Sequence, residues 1–123
     1  MPYQRGKENK NTAKAAVHPT IRDLEWAAGF LEGEGHFRST KGRFGTQQCH
    51  ATQVQREPLE RLLRLFGGVI HGHTKPTTTH QRSWRWWTTG SRARGVMMTL
   101  YSLMSTRRKE QIRVALIGDC SER

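Results

Sequence analysis

From Ile21 to Glu32, apolar side chains cover most of a helical circumference. Ile21, Leu24, Ala28 and Leu31 share one face, and Trp26 and Phe30 lie on another with Ala27 between them. A helix docked on a single core shows one stripe, so this one needs cover on two sides. Thr20 is placed to cap it, Asp23 completes a short capping box, and Gly33 is the expected stop, with Gly35 adding backbone freedom. The stretch "GHFRSTKGRFGTQQCHATQV" then switches to period two and reads as two strands around a Lys41-Gly42-Arg43 turn. In the second strand Thr46, Gln48, His50 and Thr52 alternate against Gln47, Cys49, Ala51 and Gln53. "EPLERLLRLFGG" returns to the helical period: Pro58 fits the first turn, Leu59, Leu62, Leu63 and Phe66 form the buried stripe, and Gly67 ends it. "VIHGHTK" is a third strand with His71, His73 and Lys75 in alternation. "QRSWRWWTTG" is a fourth, with Trp84 and Trp86 on one side and Ser83, Arg85 and Trp87 on the other. Two closing helices, Ser91 to about Leu103 and Thr106 to about Ile117, bring Leu100, Leu103, Met104, Ile112 and Leu116 to the core.

Helix, hairpin, helix, hairpin and two helices predict an α+β fold with its helices on one face of an antiparallel sheet. The face left open carries Arg38, Thr40, Thr46, Gln48, His50, His71, His73, Lys75 and Arg85, long polar side chains suited to base edges in a major groove. Residues 1–18 carry several Lys and Arg and no apolar period. They read as a flexible basic tail before a single domain at 19–123.

Composition narrows the partner. The chain has 123 residues, 21 Lys and Arg against 10 acids, and a formal charge of +11. Such an excess points to a polyanion. A membrane partner fits poorly, since no apolar run approaches the ~18 residues of a span. No secretory leader is recognisable, and the distant Cys49 and Cys120 suit reduced thiols, so an intracellular setting is expected: cytoplasm or nucleoid of a prokaryote or its phage, or an organelle. Neither His71-x-His73 with His80 nor Cys49-His50 supplies a closed four-ligand zinc spacing.

Glu32 and Glu34, each followed by glycine, end a helix that has to be buried. "AAGFLEGEG", Ala27 to Gly35, resembles the nine-residue signature of LAGLIDADG homing endonucleases: the small pair, the apolar pair and the acid-Gly-acid-Gly ending fall in register. "QVQREPLERLLRLFGG" resembles that family's second helix and glycine stop, and "WRWWTTGSRARGVMMTLYSLMSTRRKEQI" its closing strand-helix-helix. The likeness covers about residues 20–117.

The resemblance implies an αββαββα subdomain with a four-stranded antiparallel, saddle-shaped sheet. With one motif per chain, it implies a homodimer through the motif helix, with Leu24, Ala28, Gly29, Leu31 and Glu32 at the interface. It implies double-stranded DNA as partner, contacted by the open-face residues together with the turn residues Lys41 and Arg43, with no membrane and no small-molecule substrate. Glu34, assisted by the Gly33 carbonyl, would hold Mg²⁺ or another divalent cation at the scissile phosphates. Carboxylate oxygens are hard ligands that suit such an ion, which keeps much of its water. The family's water-ordering glutamine falls on Gln53, with Gln55 the alternative, and its basic residue on Arg108, with Lys109 next. The metal acid is Glu where many members have Asp, and the basic residue Arg where Lys is common. An arginine stabilises phosphate charge but is no base at neutral pH. The expected activity is site-specific double-strand cleavage of the homing type. The alternative is a non-catalytic binding module on the same fold, an RNA maturase or DNA-binding regulator.

Overall fold

The computed structural model describes residues 12–13, 18–40, 45–74 and 81–117. Lys41, Arg43, Lys75, His80, Cys120 and most of the basic tail lie outside this set.

Helix α1, Ile21–Glu34, opens with the expected capping box. Thr20 Oγ1 accepts from Asp23 N at 3.1 Å, and Asp23 Oδ2 accepts from Thr20 N at 2.9 Å. It does not stop at Gly33 as expected. Gly33 is helical, Glu34 is the last helical residue, and Gly35 is the cap, its N–H donating to the Leu31 carbonyl. A Cβ on Gly35 would sit 2.7 Å from that oxygen, so the close turn excludes any side chain there.

Strand β2, Gly35–Ser39, follows without an intervening residue and pairs antiparallel with β3, Gln47–Gln53. Helix α2, Glu57–Phe66, buries Leu59, Leu62, Leu63, Leu65 and Phe66. Strand β4, Gly68–Thr74, and strand β5, Ser83–Thr89, form the second hairpin. Gly68 starts β4 with φ +104 and would bring a Cβ within 2.6 Å of the Trp87 carbonyl, a position only glycine occupies without strain. Helix α3, Gly90–Leu100, is shorter than its pattern implied, because residues 101–103 tighten into one 3₁₀ turn before α4, Thr106–Ile117.

The sheet order is β4-β5-β3-β2, all antiparallel, extended at its outer edge by β1, Thr12–Ala13. This corrects two expectations: the tail is not wholly without structure, and the four-stranded sheet gains a two-residue fifth strand. Thr12 pairs with Val69 and Ala13 with Gly68, a pairing of backbone with backbone that needs no apolar period.

Side-chain alternation separates the two faces. Phe37, Cys49, Ala51, Ile70 and Trp86 point to the helices and form the core with Ala27, Ala28, Leu31, Leu59, Leu62, Val96, Met97, Leu100 and Ile112. Trp86 is fully buried, and its Nε1 donates to the Gly67 carbonyl at 2.9 Å. Among the described residues no helix is long and apolar enough to cross a membrane.

Candidate nucleic-acid interface and acidic helix end

Every acid among the described residues sits on a helix, and strands β2 to β5 contain none. The open face of the sheet therefore carries only basic and neutral side chains. Strand register places His36 and Arg38 of β2, Gln48, His50 and Thr52 of β3, Arg85 and Trp87 of β5, and His71 and His73 of β4 on that face. Its cations are held in position. Arg38 Nε donates to Gln48 Oε1 at 2.7 Å. Arg85 Nε donates to Thr52 Oγ1 at 3.3 Å, its Nη2 lies 3.2 Å from His73 Nε2, and its guanidinium lies 5.6 Å from the centre of the Trp87 ring. Thr40 and Thr46 close the β2–β3 hairpin: Thr46 N–H donates to Thr40 Oγ1 at 2.7 Å, and Thr40 N–H to the Thr46 carbonyl at 2.8 Å. Arg38, Gln48, His71, His73 and Arg85 thus share the open face, with Thr40 and Thr46 at the hairpin end of the β2–β3 pair.

His50 does not stand with them as a contact residue. It is 7% exposed, stacked between His36 at 4.8 Å and Trp87 at 5.0 Å. Burial, reinforced by the positive surroundings of Arg85, His36, Arg38 and His73, pushes its pKa down to about 4. It is a neutral filler under the surface. The rings that reach solvent on either side are His36 and Trp87. His36 was missed, although its alternation with Arg38 was the available signal.

The acidic end of α1 lies at the joint with the sheet. Gly35 pairs with Ala51, and Gln53 closes β3 two residues further on, opposite Trp84 of β5. Gln53 is half-buried and Gln55 exposed beyond the strand. Glu34 is exposed, and among the described residues its carboxylate takes part in no ion pair or hydrogen bond.

Glu32, two residues earlier, is fully engaged. Its carboxylate accepts from Ser105 N at 2.8 Å and from Ser105 Oγ at 2.7 Å. The Ser105 backbone N–H, then its hydroxyl, and the nearby Arg108 and Arg107 charges hold the Glu32 carboxyl below the usual carboxylate range. Arg108 is 7% exposed. Its Nε donates to the Glu32 carbonyl at 2.9 Å and its Nη1 to Gln111 Oε1 at 2.8 Å. The residue expected at the phosphate network therefore spends these donors inside the chain. Lys109 is half-buried, its Nζ 5.7 Å from the Tyr101 ring centre.

The expected interface residues are also redistributed. Leu31 is 0% and Ala28 3% exposed, both within the subunit's own core, and Leu24 packs against it, so Leu31 and Ala28 cannot meet a partner. The exposed stripe of α1 is Ile21, Glu25, Gly29 and Gly33, at four-residue spacing. Nothing lies within 4 Å of a Cβ built on Gly29 or Gly33. This stripe lets another helix approach closely.

No family model and no curated protein matches the chain. Solved structures do. One is the homing endonuclease I-CvuI in complex with the I-CreI target, crystallised with 2 mM Mg and its DNA uncleaved. It aligns with TM-score 0.56 and 14% identity over 79% of this chain and 67% of its own. Another is the group I intron-encoded homing endonuclease I-CeuI complexed with DNA, with TM-score 0.56 and 16% identity over 80% of this chain and 54% of its own. The α+β fold implied by the motif is thus the fold of LAGLIDADG homing endonucleases.

Proposed function

We propose that this chain, built on the homing-endonuclease fold, is a site-specific double-strand DNA endonuclease. It acts as a homodimer and hydrolyses one phosphodiester per strand with Mg²⁺ or another divalent cation. The observation that carries this reading is the contrast between two carboxylates two residues apart. Glu32 is consumed by Ser105, while Glu34 is exposed and, among the described residues, uncommitted at the end of a helix that abuts an acid-free sheet.

The donor set fits a hard cation. Among the described residues no cluster of three or more His, Cys, Asp or Glu could cage a metal. One carboxylate per chain is what an ion needs when it keeps most of its water and binds substrate phosphate as well. Glu34 would hold it, with the Gly33 carbonyl as a further oxygen. Such an ion polarises the phosphoryl oxygen and lowers the pKa of attacking water. Gln53, the last residue of β3, would orient that water through its amide. The stripe at Glu25, Gly29 and Gly33 would pack on its copy around a two-fold axis and bring the two Glu34 side chains together. Arg38 and Arg85 would supply phosphate or base-edge contacts, with His36, His71, His73 and Gln48 reading the groove.

The test uses a plasmid library with randomised inserts, incubated with Mg²⁺ and wild-type protein or Glu34→Gln. Linearisation of a sequence-defined subset by the wild type alone, with binding retained in Glu34→Gln, supports the enzyme. Equal binding with no cleavage by either protein overturns it in favour of a binding module.

A further inference from the structure

Where a helix ends, its last four carbonyls lack helical partners, and where one begins, its first N–H groups do. Helices α1 and α4 solve both problems for each other. At the start of α4, Ser105 Oγ accepts from Arg108 N at 3.3 Å, an N-cap in form. The reaching-back acid that completes such a cap normally comes from the same helix, three residues on. Here Arg108 occupies that place, and the acid comes from α1: Glu32 takes the Ser105 N–H and hydroxyl on its two oxygens. In return Arg108 Nε caps the orphan carbonyl of Glu32 at 2.9 Å, and the Gly35 N–H takes that of Leu31. These bonds form a closed ring, Glu32 carboxylate to Ser105, Ser105 to Arg108, and Arg108 back to the Glu32 main chain. Gly33 and Glu34 lie immediately beyond it.

We infer that Ser105, Glu32 and Arg108 are positioning residues that fix the direction of the last turn of α1 and so aim the Glu34 carboxylate. This rests on the nuclease reading of Glu34 given above. Arg108 then acts on the reaction through the Glu32 carbonyl, without touching phosphate. Gly33 and Gly35 flank Glu34, and glycine is the most conformationally free residue. Without the ring, the turn that carries the acid loses the side-chain bonds that tie it to α4.

The informative variants are Ser105→Ala, which removes the hydroxyl that links Glu32 to Arg108, and Ser105→Thr, which restores it. Each is compared with wild type in three measurements: equilibrium binding to the library DNA, single-turnover cleavage of the same DNA across a Mg²⁺ titration, and thermal melting. The expected result is Ser105→Ala binding DNA within about twofold of wild type, cleaving at least tenfold more slowly, and needing several-fold more Mg²⁺. Ser105→Thr should recover both cleavage and the Mg²⁺ midpoint. Cleavage by Ser105→Ala at the wild-type rate overturns the inference and leaves the nuclease reading standing. So does a loss of binding, cleavage and melting temperature in equal measure, which marks the ring as merely structural. Wild-type protein that binds without cutting overturns the nuclease reading and the inference with it.

Discussion

Protonation of His50 is the sharpest perturbation of the sheet. The ring has its ordinary value of 6.5 when unfolded and about 4 when packed between His36 and Trp87, with burial the leading cause. Between those values the unfolded chain binds the proton and the folded chain does not. Stability therefore falls as pH drops through 6.5 and levels off below about 4. A gap of about 2.5 units, at ~1.36 kcal/mol each, sets a ceiling of about 3 kcal/mol. Solvent at the ring edge screens the effect, leaving roughly 1–2 kcal/mol at pH ~4.5. His50→Phe keeps a flat ring in the stack, abolishes titration and removes Nδ1, which among the described residues is buried without a hydrogen-bond partner. Urea unfolding of both proteins, followed by tryptophan fluorescence, gives a difference curve in which other titrating groups cancel. The advantage of His50→Phe should grow by about 1–2 kcal/mol between neutral pH and pH ~4.5. A difference that stays constant over that range, or an NMR titration placing His50 near 6.5, refutes the reasoning.

Gly29→Leu should leave the protomer folded, because no atom lies within 4 Å of its Cβ, and should halve the mass measured by light scattering. A mass unaffected by the substitution counts against assembly through this stripe. Trp86→Phe leaves the Gly67 carbonyl buried without its donor and should cost about 1–3 kcal/mol in chemical denaturation. Arg38→Ala and Arg85→Ala should each lower the slope of log affinity against log salt by about one, and an unchanged slope would remove that arginine from the phosphate contacts. Glu32 has a depressed carboxyl pKa, so its contribution to stability is complete above the ordinary carboxylate range and is lost as pH falls through the lowered value. Ser105→Ala removes the hydroxyl but keeps the backbone N–H, so it should make that part of the acid limb shallower without abolishing it.

Strong periodicity made most of the fold legible. Leu59, Leu62, Leu63 and Phe66 repeat at the helical period, and His71 and Arg85 at the strand period, so element type and open-face membership could be read from the residues alone. The misreadings have physical causes. Thr12–Ala13 joins the sheet through main-chain bonds, which leave no trace in side-chain pattern. The motif helix shows apolar residues on two sides, and the sequence does not say which side the chain covers for itself. Ala28 and Leu31 turn inward, and the glycines turn out. Arg108 resembles a free cation in the sequence because its acceptor, the Glu32 carbonyl, is a backbone atom 76 positions away. His50 follows the correct alternation, but its burial depends on rings contributed by β2 and β5, which only pairing register brings alongside.

Gly35 ends α1 and begins β2 in a single step, with no spare residue between them. A joint without a loop ties the course of the strand to the end of the helix. The packing of Gly35 against Leu31 fixes the angle at which strand leaves helix. The tip of the helix and the first residue of the strand are therefore placed by the same backbone step, and no loop separates them.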